Sequence, residues 1–118
     1  MFKERFTLEK RKSEYERIQR KYPDRVPVIA EKANGSSLAS MSQSKFLVPD
    51  SITIGDLLVV IRKRIKLEPY QSLFLSVKHI IPPVSSLVKH IHDKYKDEDG
   101  FLYIEYVEEN TFGFTLNQ

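Results

Sequence analysis

Apolar and polar positions along this chain repeat at two periods. Residues 101–107, FLYIEYV, change side at every step: Leu102, Ile104 and Tyr106 share one face, while Phe101, Tyr103, Glu105 and Val107 share the other. Period two with aromatic and branched residues predicts a strand with one face in a core, led in by a turn at 97–100, DEDG. Residues 26–32, VPVIAEK, and 45–49, KFLVP, predict two more strands. Pro27 fits the start of the first, where a ladder donor is least missed. A short strand over 73–77, LFLSV, turns at Lys78-His79 towards Ile80-Ile81 and is closed by Pro82-Pro83. The helical period appears three times. Residues 10–22 carry a thin stripe of Tyr15, Ile18 and Tyr22 and stop at Pro23, and a turn holding Phe6 and Leu8 docks before them. Thr53 with Asp56 predicts a capped helix to Ile65, its core face made by Ile54, Leu57, Leu58, Ile61 and Ile65. Ser85 or Ser86 is expected to cap a last helix with a stripe of Leu87, Val88, Ile91 and Tyr95.

Helix, strand, strand, helix, strand, short strand, helix, strand is an α+β order. Two hairpin strands, a crossover helix and a last strand able to pair parallel to the first predict a four-stranded mixed sheet of the ubiquitin-like β-grasp kind, extended by N-terminal helices. Residues 33–44, with five serines and an Asn-Gly pair, predict a long mobile loop between the hairpin strands. After Val107 the periodicity stops; Gly113 stands in an unpatterned tail with five residues beyond it.

Composition narrows the class. A chain of 118 residues, 41% hydrophobic and 30% charged, suits one soluble domain with one core. The longest apolar run, 57–61, is far too short to cross a bilayer, and the first ten residues lack a signal-peptide segment. No cysteine is present, which removes disulfides, thiolate metal sites, cysteine nucleophiles and cysteine lipidation and predicts a cytoplasmic protein. The net charge of +3 is concentrated in residues 1–25, where nine Lys/Arg face five Asp/Glu. That excess suits an acidic protein tail, an anionic surface or nucleic acid, and equally a solvated helix face.

Candidate chemistry is sparse. His90 and His92 project to different sides of a helix and read, with His79, as surface histidines. Ser85-Ser86 has no base partner, and Asp97-Glu98-Asp99 and Glu108-Glu109 read as solvated turn charges. Four glycines make no phosphate loop. The expectation is a non-enzyme with no metal and no cofactor. Binding has better support: residues 45–49 are led by lysine and closed by proline, as edge strands are, and an edge can receive an extended peptide as an added strand. Lys45, Leu47 and Pro49 face one way, Phe46 and Val48 the other, and pattern alone leaves open which side is core. Gly113 offers an unhindered carboxyl group once the residues after it are cut away.

Four stretches together, EKRKSEYERIQRKYPDRVPVIAEK (9–32), KFLVPDSITIGDLLVVIRKRI (45–65), IIPP (80–83) and DEDGFLYIEYVEENTFG (97–113), closely resemble the autophagy ubiquitin-like modifiers, the GABARAP-like family. The resemblance runs through nearly the whole chain. It implies a single ubiquitin-like domain over 1–113: a helical extension at 1–25, the β-grasp core at 26–107, a flexible conjugation tail at 108–113, and a propeptide at 114–118. It further implies a processing cysteine protease that recognises Thr111-Phe112-Gly113 and cuts between Gly113 and Phe114. Activating and conjugating enzymes would then pass Gly113 to phosphatidylethanolamine, leaving the protein lipid-anchored on the autophagosome membrane. Cargo receptors and adaptors with aromatic-x-x-aliphatic motifs are the implied peptide partners. The aromatic pocket would be lined by Glu14, Ile18, Pro27, Lys45, Leu47 and Phe101, and the aliphatic pocket by Phe46, Val48, Pro49, Ile52, Leu57 and Val60. Arg25 and Arg64 would meet acidic flanks. The chain departs from the family at Met41 to Ser44, usually charged, at Phe46, commonly tyrosine, and at Ser76, often a large apolar residue. Two other readings are a soluble peptide-binding adaptor in vesicle traffic that is never conjugated, and a cytoskeletal or anionic-surface tether through residues 3–25. No nucleic-acid partner is expected.

Overall fold

The computed structural model describes residues 1–108. Eight elements follow in order: α1 (Phe2–Arg5), α2 (Leu8–Lys21), β1 (Arg25–Lys32), β2 (Lys45–Pro49), α3 (Ile54–Arg64), β3 (Leu73–Ser76), α4 (Val88–Tyr95) and β4 (Leu102–Glu108). The sheet order is β2-β1-β4-β3. The hairpin β1–β2 is antiparallel, with Val28 opposite Phe46, and β3–β4 is antiparallel, with Leu75 opposite Tyr106. The central pair β1–β4 is parallel, with Val28 opposite Leu102 and Lys32 opposite Tyr106. This is the ubiquitin-like mixed sheet expected from the element order.

Both faces of the sheet are covered, and the strands show it. Val26 to Ala30 are buried without a break, as befits a strand packed on two sides. Val26, Val28 and Ala30 join Phe46, Val48, Leu102, Ile104 and Tyr106 in the main core, closed by Ile54, Leu57 and Ile61 of α3 and Val88 and Ile91 of α4. Ile29 points the other way, into a second cluster with Phe2, Ile18 and Phe101, against which Tyr15, Leu47 and Tyr103 pack. Fully burying each of these apolar side chains is worth about 1.5–3 kcal/mol. The two N-terminal helices are therefore held by a small apolar layer of their own.

Local chemistry sets most helix ends. Thr53 and Asp56 form a reciprocal capping box, with the Asp56 N–H donating to Thr53 Oγ1 at 3.1 Å and the Thr53 N–H donating to Asp56 Oδ2 at 3.0 Å. Arg62, Lys63 and Arg64 occupy the negative end of α3. Four expectations need correction. First, α2 starts at Leu8, because Thr7 accepts the Lys10 N–H and caps it. Second, Phe2 to Arg5 form a helical turn of their own, in which Phe2 is buried and Phe6 ends up exposed. Third, α4 is capped by neither serine: Leu87 is its N-cap, without a side-chain bond, and a Thr53–Leu87 bridge fixes the chain there instead. Fourth, the serine-rich loop is anchored rather than loose. Leu38 enters the main core, and the Tyr106 hydroxyl donates to the Ala39 carbonyl at 2.9 Å.

Candidate functional site

β2 is an outer strand, and its hydrogen-bond phase decides what it offers. The Ala30 N–H donates to the Ser44 carbonyl at 2.9 Å and the Asp50 N–H to the Asp24 carbonyl at 3.1 Å. In an antiparallel ladder bonded pairs alternate, so the backbone groups of Phe46 and Val48 face β1 while those of Lys45 and Leu47 face outward. Two side chains sit on these outward acceptors: Gln43 Nε2 reaches the Lys45 carbonyl at 3.3 Å, and an Arg25 guanidinium nitrogen reaches the Leu47 carbonyl at 3.4 Å. The side chains resolve the open question about this strand. Phe46 and Val48 belong to the main core, Leu47 lies half-buried on the second cluster, and Pro49 is exposed.

The residues grouped by the resemblance fall on the two sides of this edge. On the α2 side, Lys45 Nζ lies 3.4 Å from Glu14 Oε1, and Arg17 pairs with the same carboxylate. The Arg17 hydrogen bond and the nearby Lys45 charge hold the Glu14 carboxyl below its usual range. Glu14, Lys45, Lys10 and Phe6 line a cleft of about 320 Å³. Ile18, Pro27 and Phe101 are buried, Ile18 and Phe101 forming with Ile29 the apolar layer on which Leu47 rests. On the α3 side, Leu57 is fully enclosed, Ile52 packs against the main core, and Val60 stays exposed. The Arg64 guanidinium lies 5.2 Å from the Phe46 ring centroid, over its face. An exposed backbone edge flanked by an apolar ledge and paired charges can hold an extended peptide; nothing in it activates a nucleophile.

A second cluster ties the N-terminal helices to the turn before β4, and sequence patterning missed it. Asp99, expected as a solvated turn charge, is buried: it accepts from Arg11 at 2.6 Å, from the Tyr103 hydroxyl at 2.6 Å and from the Phe101 N–H at 2.8 Å. Burial and donation to Asp99 push the Tyr103 hydroxyl well above its ordinary value. Lys3 reaches Asp97 at 2.7 Å; burial works against ionisation there, yet the Lys3 bond and the Asp99 N–H keep that carboxyl low. His92, expected at the surface, is buried with its Nε2 2.7 Å from the Gly100 carbonyl and its ring stacked on Tyr15. Both errors have one source: α2 covers this turn, and no local pattern announces a lid that is distant in sequence.

The comparisons agree with this architecture. Residues 10–113 match the family described as "Autophagy protein Atg8 ubiquitin like". The chain belongs to the Atg8 family. It is 51% identical over 112 residues to Autophagy-related protein 8 of Schizosaccharomyces pombe (strain 972 / ATCC 24843), covering 95% of this chain and 93% of that protein. It is 50% identical over 115 residues to Autophagy-related protein 8 of Cochliobolus heterostrophus (strain C5 / ATCC 48332 / race O), covering 98% and 97%. The crystal structure of Trypanosoma brucei ATG8 superposes with a TM-score of 0.89 at 41% identity, covering 95% of this chain and 97% of that one.

Membership in the Atg8 family makes this an autophagy ubiquitin-like protein. Among the described residues no helix is long and apolar enough to cross a membrane, and no group of three or more His, Asp or Glu could hold a metal ion. Phe112, Gly113 and Phe114 lie outside the described residues. Ser76 is buried at the end of β3.

Proposed function

We propose that this Atg8-family chain is a modifier rather than an enzyme, cut after Gly113 and joined through it to phosphatidylethanolamine. Hydrolysis of the Gly113–Phe114 amide by a cysteine protease frees the glycine carboxyl. An activating enzyme joins it to the AMP part of ATP with release of pyrophosphate. An enzyme thiol displaces the AMP to give a thioester that passes to the conjugating enzyme, and the lipid's amine displaces that thiol to form an amide. The catalytic nucleophiles belong to those enzymes, which accords with a chain lacking cysteine. The conjugate is then peripheral to the autophagosome membrane, and the rest of the protein remains in the cytoplasm.

On that membrane the β2 edge recruits cargo receptors and adaptors. The observation that carries the peptide reading is the outward backbone of Lys45 and Leu47 beside the Glu14–Lys45 cleft. An aromatic-x-x-aliphatic segment adds as a strand there, its aromatic residue between α2 and Leu47 and its aliphatic residue towards Ile52 and Val60. Arg25 and Arg64 lie at the flanks and suit acidic neighbours of the motif.

Intact mass, measured separately on the soluble and membrane fractions of the protein's own cells, tests the conjugation. The expected soluble form ends at Gly113 and the membrane form carries a phospholipid. In Gly113→Ala both processing and attachment are lost. If residues 114–118 persist in both fractions, conjugation is excluded and the protein is a soluble adaptor.

A further inference from the structure

One surface feature has no part in the core or in the peptide edge. Tyr70 is 84% exposed, more than any other large apolar side chain among the described residues. It occupies the third position of a turn closed by the Gln71 N–H on the Glu68 carbonyl at 3.0 Å, with Pro69 at the second. The turn is also stiff. The Arg62 guanidinium donates to the Gln71 carbonyl at 2.7 Å and to the Glu68 carbonyl at 3.2 Å, and Gln71 Oε1 accepts the Glu68 N–H at 3.0 Å. A large amphipathic ring is thus held out into solvent on a braced support.

The position of the turn says what it faces. Gln71 Nε2 donates to Glu108 Oε1 at 2.7 Å, and Leu73 lies opposite Glu108 in the ladder. Glu108 ends β4 and feeds the segment that reaches Gly113 five residues later, a span of at most about 18 Å. A lipid joined to Gly113 is therefore tethered within that reach of Glu108, the residue to which Gln71 of the braced turn is bonded.

We propose that the 68–71 turn is a bilayer contact, with Tyr70 seated at headgroup level of the membrane to which Gly113 is attached. The inference rests on the lipid-attachment reading above. Tyrosine suits that depth because its ring prefers the apolar boundary while its hydroxyl stays hydrated. Lys63 and Lys66, both exposed and without an ion pair among the described residues, precede the turn in the chain and can meet lipid phosphates. Glu68 in the same turn offsets part of their charge, so the ring is the principal anchor. The contact fixes which end of the molecule rests on the membrane and turns the β2 edge to a defined angle from it.

The chain has neither tryptophan nor cysteine, which makes the test direct. Tyr70→Trp supplies a single fluorophore, and Gly113→Cys in the full chain supplies a single thiol for coupling to maleimide-bearing phosphatidylethanolamine in phosphatidylcholine vesicles. Chemical coupling bypasses the conjugating enzymes, so a failure of natural attachment and a failure of bilayer contact are read apart. The control fluorophore is Val84→Trp, 62% exposed beside Gly55 at the opposite end of α3. On coupling, the Tyr70→Trp emission is expected to shift to the blue and to be quenched by brominated acyl chains, while Val84→Trp is unchanged. No shift at Tyr70→Trp overturns the proposal. An equal shift at both positions overturns it too, as general adsorption. So does a shift produced only by added cytosolic protein, which would make the turn a protein contact.

Discussion

At the scale of single residues, Gly100 and Leu47 carry the sharpest consequences. Gly100 has φ 99°, and a Cβ there would come within 2.4 Å of the Tyr15 ring, which is itself stacked against His92. Gly100→Ala is expected to lose about 2–3 kcal/mol, from left-handed strain added to overpacking, read as a lower urea midpoint with an unchanged slope. Leu47→Ala removes the apolar ledge between α2 and the edge, and Lys45→Glu places a like charge beside Glu14. Each is expected to weaken an aromatic-x-x-aliphatic peptide by about 2 kcal/mol, close to thirtyfold. Calorimetric titration checks this, and unchanged affinity in both variants would remove the pocket assignment. The peptide ledge was legible in KFLVP only as an alternation. Which side was core depended on α3, whose Leu57 lies in the main core with Phe46 and Val48.

At the scale of elements, α1 and α2 depend on the Arg11–Asp99 and Lys3–Asp97 pairs. Removing Arg11 leaves Asp99, whose side chain is wholly enclosed, without its cation. Breaking such a buried pair costs about 3–5 kcal/mol. Arg11→Ala is therefore expected to raise hydrogen exchange throughout α2 before it affects β1 or β4. Acid acts in the same direction. Asp97 and Glu14 have carboxyls held below their unfolded values, so their contribution is complete only above roughly pH 5 and is lost as pH falls through the lower folded values. Fluorescence of Phe6→Trp, an exposed position packed on Phe2 between α1 and α2, followed from pH 6 to pH 2, should report the N-terminal helices loosening at the acid end and no change above pH 5. A cation-rich helix with a thin stripe was readable from residues 10–22. Its lid-like docking was not, because both acidic partners sit more than eighty residues away.

At the scale of the whole molecule, two apolar layers on opposite faces of one sheet hold unequal loads. The main core joins all four strands to α3 and α4, whereas the second cluster holds α1 and α2 through only a few side chains. Native-state hydrogen exchange is expected to show α2 opening sub-globally at lower free energy than β1 and β4. If α2 amides exchanged only by global unfolding, the division into two layers would have no energetic meaning. The proposed peptide edge, β2, and the turn at 68–71 that leads into β3 thus lie at opposite edges of the sheet, and the turn is bonded to Glu108 at the end of β4.

What the amino-acid sequence determined by itself was whatever depends on neighbours in the chain. The period of each segment, the Thr53–Asp56 capping box, the turn before β4 and the β-grasp order of elements all follow from short-range sterics and local hydrogen bonding. Only the tertiary structure decided the matters set by long-range burial. It turned Phe46 and Val48 inward, brought Phe2 under α2, and enclosed Asp99 and His92. It also left Tyr70 standing in solvent beside the end of β4. Burial depends on which distant element covers a residue, and a polar side chain is stable inside only where distant partners bond it. Neither condition is written in any one window of the sequence.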